Sequence, residues 1–368
     1  MPQLQAVLDH AELEFLDDDT RLRERLRIWW QAAAGDHAQS VTSMFALTEK
    51  AMKQDSTEAG AELQSPTLAE TQAKQDWFRT PFAGPTMIVM PKSGASKLNN
   101  YNRPFEDILG KQMPLVLARG LAEAQCRLAY EFPHAETALQ ALFRDLREGE
   151  PARLKPTILV GPPGAGKSRL VRKIAAAVGW QRVRRYDGAS SADGQFAGTS
   201  KGWSNTEASV PARAVLMSKT ANPLIFIDEI DKAAETHHGS LRTSLLAFLE
   251  DETAREYRDQ STDCEFDFSM CTFLATANDV SGLPSHLRDR FRIVKVPPPR
   301  LVDLPLLAGS IVDDMVREDE WIGFAAPFAQ DELQIMAKAW QARGMSMRAL
   351  QKIVAATLEA RDAHSMRH

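Results

Sequence analysis

Eight consecutive residues carry the strongest chemical signal in the chain: Gly161-Pro162-Pro163-Gly164-Ala165-Gly166-Lys167-Ser168, a GxxxxGK[ST] pattern with Arg169 directly after it. Its glycines let backbone N–H groups turn inward without a Cβ in the way. A helix beginning at its end adds partial positive charge, so the loop cradles phosphate oxygens. Lys167 is placed to reach the β- and γ-phosphates of a nucleoside triphosphate. Ser168 offers a hydroxyl to Mg²⁺, a hard cation that keeps several waters and takes few protein ligands.

About sixty residues later the run Leu224-Ile225-Phe226-Ile227 is apolar throughout and ends in Asp228-Glu229, as expected of a strand covered on both faces with carboxylates at its carboxyl end. Ligands of open α/β sheets bind at that edge, so Asp228 can hold the water shell of Mg²⁺ while Glu229 polarises an attacking water. A further strand, Cys271 to Thr276, ends in Ala277-Asn278-Asp279. Asn278 there is a turn former on its own, or an amide that orients the same water.

These groups need a scaffold, and the surrounding pattern supplies one. Short β-rich runs at Thr157–Val160, Arg182–Tyr186, Leu224–Asp228, Cys271–Thr276 and Ile293–Val296 alternate with helical stretches, among them Leu170 to Val178. That alternation predicts an α/β domain with a parallel sheet flanked by helices. After Pro297-Pro298-Pro299 the strands cease. Leu333, Met336, Ala337 and Trp340 then share a helix face, Gly344 offers a stop, and Ser346 caps a second helix that buries Leu350, Ile353 and Val354. Ahead of the sheet, Asp9 to about Ala34 and Ile108 to Leu146 read as helical, and the polar stretch 52–75 reads as a linker. The division expected is therefore a mostly helical N-terminal region over 1–110, an α/β domain with preceding helices over 111–298, and a helical unit over 299–368.

Composition limits the classes open to the chain. With 368 residues, 44% hydrophobic and 25% charged, it has the usage of a folded globular protein. A net charge of −5 gives no overall attraction to nucleic acid or anionic lipid. Three widely spaced cysteines fit neither a disulfide framework nor a four-cysteine zinc site. No basic and apolar leader is read at the start, and no apolar stretch approaches the roughly 20 residues of a membrane-spanning helix. A cytoplasmic location without membrane contact is the expectation. His237-His238 reads as an exposed pair, and Arg182, Arg184 and Arg185 read as ion-paired surface.

Taken together the motifs resemble an AAA+ ATPase, and within that superfamily the core is most similar to the ATPase module of Lon. GPPGAGKS at Gly161 to Ser168 resembles Walker A, LIFIDEIDK at Leu224 to Lys232 Walker B, and FLATAN at Phe273 to Asn278 the sensor 1 strand. LRDRF at Leu287 to Phe291 resembles the arginine-finger segment. The stretch from Tyr257 to Ser269 resembles the hairpin before sensor 1. The resemblance spans about Phe132 to Leu358, and it leaves the long N-terminal region and the Ser-Lys peptidase domain of Lon unmatched.

The resemblance implies a P-loop NTPase sheet with a helical lid, ATP and Mg²⁺ as ligands, and ATP hydrolysis without peptidase activity. It implies that Arg290, with Arg288 in reserve, reaches the γ-phosphate of a neighbouring subunit, which calls for a homo-oligomeric ring, a hexamer by family. Arg348 takes the place of the sensor 2 arginine. Gln195-Phe196-Ala197-Gly198 resembles the pore loop that grips extended polypeptide, with Trp203 able to supplement or replace Phe196. The function so implied is ATP-driven unfolding or remodelling of a protein client. The alternatives are a nucleic-acid-directed motor, against which the acidity counts, and an ATP-driven regulatory switch.

Overall fold

The computed structural model describes residues 84–92, 103–188, 196–199, 207–233, 235–236, 239–318 and 326–365. The expected N-terminal helix, the linker at 52–75, Trp203 and the His237-His238 pair lie outside them. The described residues fall into two compact units, one within Asp76–Asp303 and Met336–Ala356, the other within Leu304–Ile335 and Thr357–His368.

The first unit is built on five parallel strands: β1 (Thr157–Val160), β2 (Arg184–Asp187), β3 (Leu224–Asp228), β4 (Thr272–Ala277) and β5 (Arg292–Lys295). Their order across the sheet is β5-β1-β4-β3-β2. Each therefore lies within two residues of the run predicted for it. Residues of β3 and β4 are buried throughout, as central strands covered on both faces must be. Because side chains alternate across a strand, Ile158, Ile225, Ile227, Phe273 and Ala275 join one core, and Leu159, Leu224, Phe226, Leu274 and Val294 join the other. The second core is closed by the helices Glu136–Phe143 and Lys167–Val178.

Parallel pairing also aligns the strand ends. Ala277 is beside Val160, Ala275 beside Ile227, and Asp187 beside Asp228. The residues that follow β1, β3 and β4 are thereby delivered to one edge of the sheet, which is the edge where open α/β sheets bind ligands.

The stretch ahead of the sheet departs from the helical reading of Ile108 to Leu146. Gln112–Pro114 forms a strand antiparallel to Thr86–Ile88, and the helices begin only at Leu121 and break between Glu131 and Glu136. Pro114 and Pro133 explain both interruptions, since proline lacks the N–H a helix needs and restricts the residue before it. The segment Tyr257–Asp259 pairs with Cys264–Phe266 as the hairpin the resemblance implied. In the second unit, Arg361 donates to Glu332 Oε1 at 2.7 Å and lies 4.7 Å above the Phe328 ring. No helix among the described residues is long and apolar enough to cross a membrane.

Asn222, fully buried just before β3, ties the sheet to the segment preceding it. Its Oδ1 accepts from Val116 N at 2.7 Å, and its Nδ2 donates to the carbonyls of Val116 and Ala152, each at 2.9 Å. Truncation strands those backbone groups without water. Asn222→Ala is expected to cost about 2–3 kcal/mol, read as a lowered urea midpoint with an unchanged slope.

Candidate functional site

The turn from β1 into the helix Lys167–Val178 is shaped by glycine where nothing else fits. A Cβ on Gly161 would lie 2.1 Å from the Val296 carbonyl oxygen. Gly164, at φ +80°, has Ser346 where its Cβ would go. The backbone can take this path only without side chains. Lys167 folds back into the loop, its Nζ donating to the carbonyls of Gly161 at 2.7 Å and Pro162 at 3.0 Å and to Asn278 Oδ1 at 3.0 Å. Burial lowers the Lys167 pKa, while Asp231, Asp228 and Glu229 raise it in part.

Asp228 closes the other side. Only 4% exposed, it accepts from Ser168 Oγ at 2.9 Å and Thr276 Oγ1 at 2.5 Å through Oδ1, and from Arg185 at 2.7 Å through Oδ2. Glu229 follows in the left-handed region at φ 55°, and its carboxylate is more exposed and paired with Lys232 at 2.8 Å. That contact raises the Lys232 pKa. Lys167, Ser168, Asp228, Glu229 and Asn278 thus occupy one sheet edge.

The remaining sequence candidates separate. Arg169 turns away from the loop to Glu131, 3.7 Å away, and stacks 4.8 Å over Phe132. Arg290 donates to Glu250 Oε1 at 2.7 Å and to the His286 carbonyl at 2.8 Å. Arg348 is exposed in the first turn of the helix Met347–Ser365. That helix starts against the loop, because Met347 N donates to the Gly164 carbonyl at 2.8 Å and Ser346 Oγ caps Ala349 N at 3.1 Å.

Phe196 corrects an expectation. Its ring is fully buried, meeting Tyr186 and Phe248 edge-on at 5.1 and 5.6 Å, so it packs the core and does not face a peptide. Ala197 accepts from Tyr257 OH at 2.8 Å, and a Cβ on Gly198 would meet Ser209 N at 2.9 Å. These three residues anchor their segment. A large aromatic side chain gains more from such burial than from contact with water.

Two partners of Asp228 were not assigned to the site from sequence, although Arg185 is ion-paired as its cluster was read to be. Thr276 stands one place beyond the Ala275–Ile227 pair in the parallel register, and Arg185 comes from the neighbouring strand β2. Strand order would have exposed both, and strand order is not written in local sequence.

Comparison with known proteins bears on the same segment. Residues 157–298 match the family described as ATPase family associated with various cellular activities, AAA. This segment is an AAA domain. The chain is similar to the Lon protease of Magnetococcus marinus, 33% identical over 160 residues that make up 44% of this chain and 18% of the relative. It is also similar to the mitochondrial Lon protease homolog of Candida dubliniensis, 37% identical over 142 residues, 38% of this chain and 13% of the relative. The chain thus spans less than a quarter of the length of these relatives. Among solved structures, a Saccharomyces cerevisiae Hsp104:casein complex superposes with a TM-score of 0.54 at 16% identity, over 67% of this chain and 48% of the other. At that identity the likeness is one of fold.

The AAA domain fits a magnesium nucleoside triphosphate by its own chemistry. Ser168 and Asp228 offer adjacent hard oxygens. The loop that would take the phosphates has positive-φ glycines at 164 and 166 and an ammonium inside it.

His134 supports that loop from behind. It is buried, its Nε2 lies 3.0 Å from the Ala165 carbonyl, and its Nδ1 has no hydrogen-bond partner among the described residues. Burial pushes its pKa below 6.5, partly offset by Ala165 and Asp303 and reinforced by Arg300 and Arg169. The unfolded chain then binds a proton that the folded chain refuses, so stability rises with pH through this range. The contribution is fully present above 6.5 and fades as pH falls toward the folded value. Urea unfolding at about pH 7.5 and pH 5.5 should show a larger acid loss for the native chain than for His134→Gln. Equal losses would remove His134 from the account.

Proposed function

We propose that this chain hydrolyses ATP with Mg²⁺ and uses the cycle to remodel or unfold a protein client, working as a homo-oligomeric ring, a hexamer by family resemblance. The observation that supports it best is the meeting of Lys167, Ser168, Asp228, Glu229 and Asn278 at one sheet edge. In this reading Gly161 to Ser168 bind the triphosphate. Mg²⁺ would be held by Ser168 and Asp228, and it supplies positive charge against the phosphoryl oxygens. Glu229, the more exposed of the two carboxylates, leaves Lys232 to take a proton from the attacking water. Asn278 orients that water or the γ-phosphate.

Arg290 and Arg348 complete the proposal. Arg290 leaves Glu250 to meet the nucleotide of a neighbouring subunit, where its planar fork stabilises spread charge. Arg348 sits beside the loop within its own subunit, close enough to depress Lys167. The relatives named above include proteases, which favours a protein client. With Phe196 in the core, the client contact passes to Trp203.

Glu229→Gln is expected to keep ATP binding while slowing turnover about 10²- to 10⁴-fold. Arg290→Ala should lose about 10³-fold or more. Mixing it with Lys167→Ala subunits should restore part of the activity at shared interfaces. Failure of the mixture to recover would place the arginine in cis. Trp203→Ala should weaken stimulation of turnover by unfolded casein about tenfold, the scale of losing one anchoring aromatic. Stimulation by DNA that fades with salt would instead favour a nucleic-acid motor.

A further inference from the structure

The turn that carries Glu229 also reaches the loop that carries Asn278. After Glu229 the chain makes a short 3-10 turn, Ile230–Lys232. From it Asp231 Oδ2 accepts the backbone N–H of Asn278 at 2.9 Å and that of Asp279 at 3.4 Å. These two N–H groups lie just past the end of β4, where the strand ladder no longer fixes them. Arg242 steadies the turn from another side, donating to the Asp231 carbonyl at 3.2 Å.

The remaining carboxylate oxygen, Oδ1, is buried and takes no hydrogen bond among the described residues. A neutral turn would avoid that arrangement. Asp231 is also the foremost of the three acids that hold up the Lys167 pKa, which places it within the field of the phosphate loop.

Resting on the hydrolytic reading above, we propose that Asp231 is a positioning residue for ATP hydrolysis, holding the Asn278 backbone so that its side chain stays in register with Lys167 and Glu229. Asn278 touches Lys167 at 3.0 Å, and an amide that must orient a water tolerates displacements of only about 0.5 Å. Asp231 sets that position without touching the reacting atoms. The same side chain makes the glutamate turn and the asparagine loop move as one piece.

The test compares Asp231→Ala, Asp231→Asn and Glu229→Gln in the full chain. It reads kcat and KM for ATP, equilibrium binding of a fluorescent ATP analogue, and thermal midpoint. Asp231→Ala is expected to lower kcat about 10- to 100-fold, the scale of a misplaced catalytic group, with analogue affinity and KM within about threefold of the native values. Asp231→Asn keeps an acceptor oxygen for the Asn278 N–H and should recover most of kcat. Native kcat in Asp231→Ala would overturn the proposal, as would Asp231→Asn no better than Asp231→Ala. A parallel fall of affinity, midpoint and kcat in both variants would also overturn it, since that marks a role in folding alone. If Glu229→Gln turns over like the native chain, the hydrolytic reading itself fails, and that result is separate from every outcome at Asp231.

Discussion

A carboxylate taken out of water has to be met by donors, and the way Asp228 meets this demand organises the site. Its donors are Ser168 at the start of a helix, Thr276 on β4 and Arg185 on β2. Three stretches distant in sequence are thereby fixed around one buried group. Nothing local brings them there. The parallel register sets β4 and β2 on either side of β3, and the phosphate loop enters from β1 on the far side of β4. The hydrogen bonds then select one arrangement among those the sheet permits.

Strand identity was legible because central strands of a parallel sheet need unbroken apolar runs, and Leu224 to Ile227 supplies one. The phosphate loop was legible because so few sequences satisfy glycine spacing, lysine and hydroxyl together. Asn278 was readable only as a candidate, since its significance rests on β4 lying between β1 and β3. Arg185 looked like one of three surface arginines, and only strand order separates it from Arg182, which donates to the Met217 carbonyl. The helices ahead of the sheet were overextended because apolar periodicity continues across Pro114 and Pro133, whereas backbone geometry does not. Exposure of Phe196 was implied only by the resemblance of Gln195-Phe196-Ala197-Gly198 to a pore loop ending in glycine. That glycine serves instead to leave room for Ser209, whose backbone N would lie only 2.9 Å from a Cβ at position 198.

The fate of Phe196 follows from what lies beneath it. Phe248 sits at the middle of an aromatic group that includes Phe196, Tyr257, Phe268 and Phe273, with ring centroids 4.3 to 6.2 Å apart. Aromatic pairs at these distances gain about 0.5–1.5 kcal/mol each beyond the area they bury. A ring at 196 therefore has a large incentive to pack. The consequence is mechanical: the segment after β2 is pinned at 196–198 by its own side chain, by Tyr257 OH on Ala197 and by the Val210 N–H on the Phe196 carbonyl. Whatever the residues beyond 199 do, they do from a fixed anchor on the sheet.

A comparable anchor lies at the other end of the chain. Trp340 is fully buried and donates its indole N–H to the Ser346 carbonyl at 2.9 Å, Ser346 caps the next helix, and Met347 N binds the Gly164 carbonyl. The helix bearing Arg348 thus begins on the backbone of the phosphate loop. A packed helix transmits displacement along its axis because its hydrogen bonds are stiff and its core contacts are close-packed. Any change in the loop backbone at Gly164 must move the Arg348 turn or break this short chain of bonds. The polar groups in that chain are partly shielded from water, which raises the cost of breaking them. Moving together is the less costly course, and it makes the phosphate loop and the Arg348 turn one mechanical element.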